Sequence, residues 1–231
     1  MLSLATFTQY DKAGIQIFFK STFTRHIHII KTLPYLKRNR RLSLERLDYV
    51  RRSSLELAAS EIYENKLIGN IAELGVYKGD FAKDINSVFS DRKLYLFDTF
   101  EGFDERDRIT ERKNTFSSAD QDFSDTSTEY VLSRMPHREN CIVKKGFFPQ
   151  TAEGLEDNFV FVSIDTDLYE PIYKGLQYFY PRLVKGGYIF VHDFNNDEYK
   201  GAKEAVKKFC AEAGIGFVPI ADVGGSAIIS K

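Results

Sequence analysis

Two apolar runs late in the sequence end in acids. FVFVSI, residues 159–164, leads into Asp165-Thr166-Asp167, and YIFV, residues 188–191, leads into His192-Asp193 followed by Phe194-Asn195-Asn196. If the two runs are neighbouring parallel strands, Asp165 and Asp193 converge at their tips. Two carboxylates forced together repel unless a cation sits between them, and oxygen ligands suit Mg²⁺, Mn²⁺ or Ca²⁺. Such a cation is a Lewis acid that lowers the pKa of a bound hydroxyl and holds its oxygen toward an electrophile. His192 reads three ways with equal weight: a base that removes the hydroxyl proton, a third metal ligand, or a core histidine at a strand end.

A second group lies earlier. A strand runs into ELGVYKGDF, residues 73–81, where Gly75 allows a tight turn at the strand end and Gly79 lets the next helix pack close. A pyrophosphate-binding fingerprint needs a glycine where this chain has Tyr77, which disfavours a dinucleotide but leaves room for a smaller charged ligand. Glu73, just before the turn, would repel a pyrophosphate and welcome an ammonium group. Asp98 ends the next strand, nineteen residues beyond Gly79, where an acid in such folds accepts hydrogen bonds from ribose hydroxyls. Glycine turn and acid together point to a nucleoside.

These residues need elements to hold them. Residues 43–64 read as a helix with Leu44, Leu47, Val50, Leu57, Ala58 and Ile62 at three- and four-residue steps and Ser43 as its cap. Strands are expected at 71–76, 94–97, 141–145, 159–164, 188–191, 215–220 and 226–230, with helices at 79–89, 128–135, 172–180 and 198–213. Strands alternating with helices predict an α/β, doubly wound, mostly parallel seven-stranded sheet, Rossmann-like, whose last pair must be antiparallel because no helix separates it. Ligands then sit beyond the carboxyl ends of the strands, at the switch in strand order. Residues 101–127 are polar and read as a mobile loop or lid rather than core, one that closes over the ligand bound at Asp98. The division expected is a helical extension over 1–52, which pairs subunits or covers the acceptor, and a catalytic domain over 53–231.

Composition narrows the classes. The 231 residues are 43% hydrophobic and 28% charged with a formal net charge of −1, ordinary for a soluble globular chain and without a global field for nucleic acid. Seven basic residues fall between Lys37 and Arg52 against Glu45 and Asp48; such a run is read as a solvated helix face. Cys141 and Cys210 form no CxxC pair and cannot frame a chain of this size, so a reducing, cytoplasmic setting is expected, with Cys210 buried and inert. No signal peptide and no membrane span are expected, while the apolar runs 15–19 and 26–36 suggest packing on the domain, on a second subunit or on a membrane surface, in that order.

The segments IAELGVYKGDFAKDI, LYLFDTFEGF, VKKGFFPQTAEGL and FVSIDTDLYEPIYKGLQYFYPRLVKGGYIFVHDF occur in one order between about residues 53 and 209. In this combination the chain resembles the macrocin O-methyltransferase family of sugar O-methyltransferases, which depend on S-adenosylmethionine and a metal. The resemblance implies the class I methyltransferase fold, with Glu73, Gly75 and Tyr77 along the methionine part of the cofactor and Asp98 on its ribose. It implies that Asp165 and Asp193 bind Mg²⁺ or a similar ion, and that the acceptor is a sugar in a glycoside or polysaccharide. The family often has two acids where this chain has His192-Asp193. The lysine base of the more distant catechol-type enzymes is replaced here by Leu168. A rival reading takes Asp165-Thr166-Asp167 as the DxD of a metal-dependent glycosyltransferase that uses a nucleotide sugar.

Overall fold

The computed structural model describes residues 48–231. The proposed cap Ser43, the two N-terminal apolar runs and the expected subunit-pairing surface lie outside those residues. Helix α1 spans Tyr49–Glu64, and the Asp48 carboxylate caps it by accepting the Val50 and Arg51 N–H groups at 3.1 and 3.2 Å. It therefore runs unbroken across position 52. Its buried face carries Arg51, Ser53, Leu55, Ala58, Ala59 and Ile62. The stripe read from the sequence is rotated from this one, and Val50 is 36% exposed. Leu55 and Ile62, both fully buried, set the packing face instead.

Seven strands follow: β1 (Asn70–Leu74), β2 (Leu94–Asp98), β3 (Cys141–Lys145), β4 (Phe159–Ile164), β5 (Leu183–Val191), β6 (Val218–Ile220) and β7 (Ser226–Ser230). Five helices lie between them: α2 (Asp80–Val88), α3 (Glu105–Lys113), α4 (Thr128–Arg134), α5 (Tyr169–Arg182) and α6 (Lys200–Ala213). The sheet order is β3-β2-β1-β4-β5-β7-β6. Neighbours from β3 to β5 are parallel, and β7 runs antiparallel to both β5 and β6. The doubly wound, mostly parallel sheet expected from the sequence is the one observed. The order reverses between β1 and β4, so the carboxyl ends of these two central strands flank the crevice where such sheets bind ligands.

Alternation along the strands sends side chains to two cores. Ala72, Leu74, Tyr95, Phe97, Val162, Ile164, Ile189 and Val191 face α5 and α6. Ile71, Leu94, Leu96, Phe161 and Phe190 face the other way, with α1, α2 and α4 supplying Leu55, Ile62, Ile85 and Val131. The same parity sends Glu73 and Ser163, register partners on β1 and β4, toward α1. Two polar residues in an otherwise apolar layer need polar company.

Strand β1 ends at Leu74 and β6 begins at Val218, both shorter than the sequence reading, and three further elements differ from it. Strand β5 starts at Leu183, because a register shift between Phe159 and Phe161 lets the chain pair across Gly186-Gly187. Helix α5 starts at Tyr169, whose N–H donates to the buried Glu111 carboxylate at 3.0 Å. The polar stretch 101–127 contains α3 and is packed rather than a structureless loop. Aromatic residues spaced among its charges anchor it: Phe103 against Phe123 and Tyr199, and Phe116 against Tyr169. No helix among the described residues is long and apolar enough to cross a membrane.

Candidate active site

The carboxyl ends of β1, β2, β4 and β5 open into one cavity of about 330 Å³. Its wall includes every residue given a cofactor, metal or catalytic role from the sequence except Gly79, which lies at the N-terminus of α2 with φ 76°, where an added Cβ would meet Val131 and Met135. Arg51, Asp107, Phe123 and Asp167 join that wall as well.

On the β1–β2 side the backbone bends sharply. Gly75 has φ 85°, and a Cβ added there would lie 2.1 Å from the Asp165 carbonyl oxygen, so the strand end passes against the end of β4 only because no side chain intervenes. Asp98 fixes the bend. One of its oxygens accepts the Val76 and Tyr77 N–H groups at 2.6 and 2.9 Å, and the other accepts the Phe100 N–H at 2.6 Å. Tyr77 itself adopts φ 48°, and its hydroxyl donates to Asp125 at 2.6 Å. Thr126 donates to the Tyr77 carbonyl at 2.5 Å. The segment after α3 is thereby tied to the glycine turn and forms part of the wall.

On the β4–β5 side three acids and one histidine meet. His192 Nδ1 lies 3.1 Å from Asp165 Oδ1 and 2.8 Å from Asp193 Oδ2. One ligand atom from each of Asp165, His192 and Asp193 falls within 4.8 Å of the others, a spacing that fits donors around one cation. Asp193 takes φ 56° and also accepts the Asn196 amide at 2.8 Å. The turn between β6 and β7 closes over it: a Cβ on Gly224 would stand 2.5 Å from Asp193 Oδ1. The next residue back, Val223, donates its N–H to the second oxygen of Asp48 at 2.8 Å, so this turn also grips the start of α1.

Charge in this corner is dense. Burial alone would raise the Asp165 pKa, but the charges of Arg51 and His192 outweigh it and hold the carboxylate well below its usual range. Burial would lower the His192 pKa; the Asp165 charge and hydrogen bonds to Asp165 and Asp193 push it up to about 10 instead. Asp167 is driven well above the usual carboxyl range by burial and by sharing a hydrogen bond with Asp193, which is itself held low by bonds from His192 and Asp167. Glu73, 1% exposed, is raised by burial despite the nearby Arg51.

Arg51 is the site residue that the sequence reading missed. It was grouped with a basic run taken for a solvated face, yet it is 7% exposed and its guanidinium lies 3.8 Å from the centre of the Phe81 ring. It bonds Asp165 at 2.9 Å and Ser163 at 3.2 Å. The signal was its spacing: Arg51 stands four, seven and eleven residues before Leu55, Ala58 and Ile62, in the buried register of the helix.

The macrocin-O-methyltransferase family model matches residues 14–229. The chain belongs to this family. It is accordingly an O-methyltransferase, an enzyme class that draws its methyl group from S-adenosylmethionine. A Streptomyces olivaceus relative, 8-demethyl-8-(2,3-dimethoxy-alpha-L-rhamnosyl)-tetracenomycin-C 4'-O-methyltransferase, is 23% identical over 81% of this chain and 73% of its own length. The demethyldecarbamoylnovobiocin O-methyltransferase of Streptomyces niveus is 21% identical over 66% of this chain and 61% of that protein. Among solved structures, the O-methyltransferase NovP superposes with a TM-score of 0.63 at 21% identity, covering 78% of this chain and 79% of NovP, a likeness of fold.

Proposed function

We propose that this enzyme transfers a methyl group from S-adenosylmethionine to a hydroxyl of a sugar-containing acceptor, with a divalent cation at the tips of β4 and β5. The observation that supports it most directly is the meeting of Asp165, His192 and Asp193 on the wall of the cavity that Glu73, Gly75, Tyr77 and Asp98 also line. The sugar acceptor is supported by the rhamnosyl-bearing substrate in the name of the relative from Streptomyces olivaceus.

The residues fit both groups. Three donors of the hard oxygen and imidazole type gather at His192 Nδ1, and the same atoms that now share a proton could share a metal ion. When bound, the cofactor supplies an electrophilic methyl group, and the cation supplies a positive charge that acidifies the acceptor hydroxyl. In this reading Asp165, His192 and Asp193 hold the cation, Glu73 faces the ammonium group, Asp98 faces the ribose, and Gly75 and Tyr77 shape the turn between them. Gly79 orients α2 behind that turn. Asp165 and His192 carry the catalytic role through the hydroxyl oxygen that they position. The glycosyltransferase reading is not favoured by the family to which the chain belongs.

The test is methyl transfer to a panel of glycosides and nucleotide sugars, with Mg²⁺ and with chelator. Methylation of a sugar hydroxyl only when the metal is present is the expected result. A rate that chelator leaves unchanged would remove the cation from the mechanism, and binding of nucleotide sugars without binding of S-adenosylhomocysteine would restore the rival.

A further inference from the structure

Three buried polar atoms on residues that line the cavity have no hydrogen-bond partner: Arg51 Nε, Glu73 Oε2 and Thr166 Oγ1. The first two belong to groups of opposite charge that interact across the same small space. The rest of the guanidinium is engaged. The two terminal nitrogens of Arg51 donate to Asp165 at 2.9 Å and to Ser163 at 3.2 Å, and Ser163 is the register partner of Glu73. The Phe81 ring, 3.8 Å from the guanidinium carbon, fixes the plane of the arginine. A free donor on the Arg51 cation and a free oxygen on the Glu73 carboxyl group, not bonded to each other, describe the complement of a zwitterion. A ligand carrying only an ammonium group would leave Arg51 Nε unmatched, and one carrying only a carboxylate would leave Glu73 unmatched.

We propose that Arg51 reads the α-carboxylate of the cofactor's amino-acid end while Glu73 takes its ammonium group, so that α1 supplies a specificity-determining residue for S-adenosylmethionine. This rests on the cofactor reading above and adds a residue and a ligand group to it. Arginine suits the task because its planar fork can hold Asp165 on one edge and a second carboxylate on another, which a lysine cannot do.

The experiment compares three nucleosides by calorimetry without metal: S-adenosylhomocysteine, decarboxylated S-adenosylhomocysteine, which keeps the ammonium and the uncharged sulfur, and 5′-methylthioadenosine, which has no amino-acid end. On the unaltered enzyme S-adenosylhomocysteine should bind at least tenfold more tightly than either of the others. In Arg51→Gln that preference should collapse, with S-adenosylhomocysteine weakened about tenfold or more and methylthioadenosine unchanged. Equal weakening of both in the variant would mark Arg51 as a structural brace only and overturn the proposal. So would unchanged binding of both. If the variant does not fold, the unaltered enzyme still decides: equal affinity for S-adenosylhomocysteine and the decarboxylated ligand would show that no carboxylate is read. Failure of all three nucleosides to bind the unaltered enzyme would instead overturn the cofactor reading itself.

Discussion

Asp98 and Asp165 stand on either side of β1 at the same edge of the sheet, yet they are held in opposite ways. Asp98 accepts three backbone N–H groups, from Val76, Tyr77 and Phe100. Asp165 is gripped by side chains, Arg51 and His192, and its neighbour Asp193 by His192 and Asn196. Backbone donors cannot leave without undoing the turn, so Asp98 is part of the framework. Side-chain partners are not part of the turn, so the His192 contact can give way to a cation without undoing the backbone, while Arg51 stays held against Phe81. One edge of the sheet thus carries a permanent anchor for the glycine turn beside a cluster held by side chains; under the proposed function the first serves the nucleoside and the second the acceptor.

The largest expected effect falls on the exchangeable side. Asp193→Asn keeps the shape of the side chain and removes a charge that a cation needs; activity should fall on the order of 1000-fold, equivalent to several kcal/mol of lost charge stabilisation. Binding of S-adenosylhomocysteine, measured by thermal shift, should survive. Loss of nucleoside binding in this variant would break the division of labour. Gly75→Ala strikes both sides at once, since its Cβ would meet the Asp165 carbonyl at 2.1 Å on a backbone of φ 85°. Denaturant titration should show a loss of about 3 kcal/mol, together with weakened nucleoside binding. Asp98→Ala frees three amides, and stability should drop by about 2 kcal/mol while affinity for metal is kept. A variant of full stability would mean that the turn holds itself.

The smallest effect concerns an acid of neither kind. Asp107 on α3 lines the cavity, and burial, reinforced by the charges of Asp104 and Glu170, pushes its pKa up to about 7. The folded state then binds a proton more tightly than the unfolded chain, so this group favours folding at low pH. Its contribution declines as pH rises from the ordinary carboxyl range, ~4, to about 7, and is gone above that. Asp107→Asn should raise the melting temperature at pH 8 by about 2–4 °C and leave it nearly unchanged at pH 4. Equal shifts at both pH values would show that Asp107 is not strained by its surroundings.

Much of this was legible in the residues. Apolar runs ending in ELGVYKG, LFD, SIDTD and FVHD gave strands whose tips carry the chemistry, because parallel strands buried on both faces are written as unbroken apolar runs. Convergence of Asp165 and Asp193 followed from the adjacency of β4 and β5. Helix α3 was hidden, since nine residues that include three arginines, two glutamates and one buried side chain give a weak periodic signal. Arg51 was hidden by a different cause. Its spacing put it in the buried register, but what keeps a charge there is Glu73 and Ser163 on the sheet beneath it, and that depends on strand register.

The turn from Asp222 to Gly225 bears on redesign. Because Val223 holds Asp48, the cap of α1, and Gly224 lies against Asp193, this short hairpin couples a helix and a strand tip that are far apart in sequence. An engineer seeking new acceptors should leave it alone. Insertions there would slacken the helix that carries Arg51 and unseat Asp193 together.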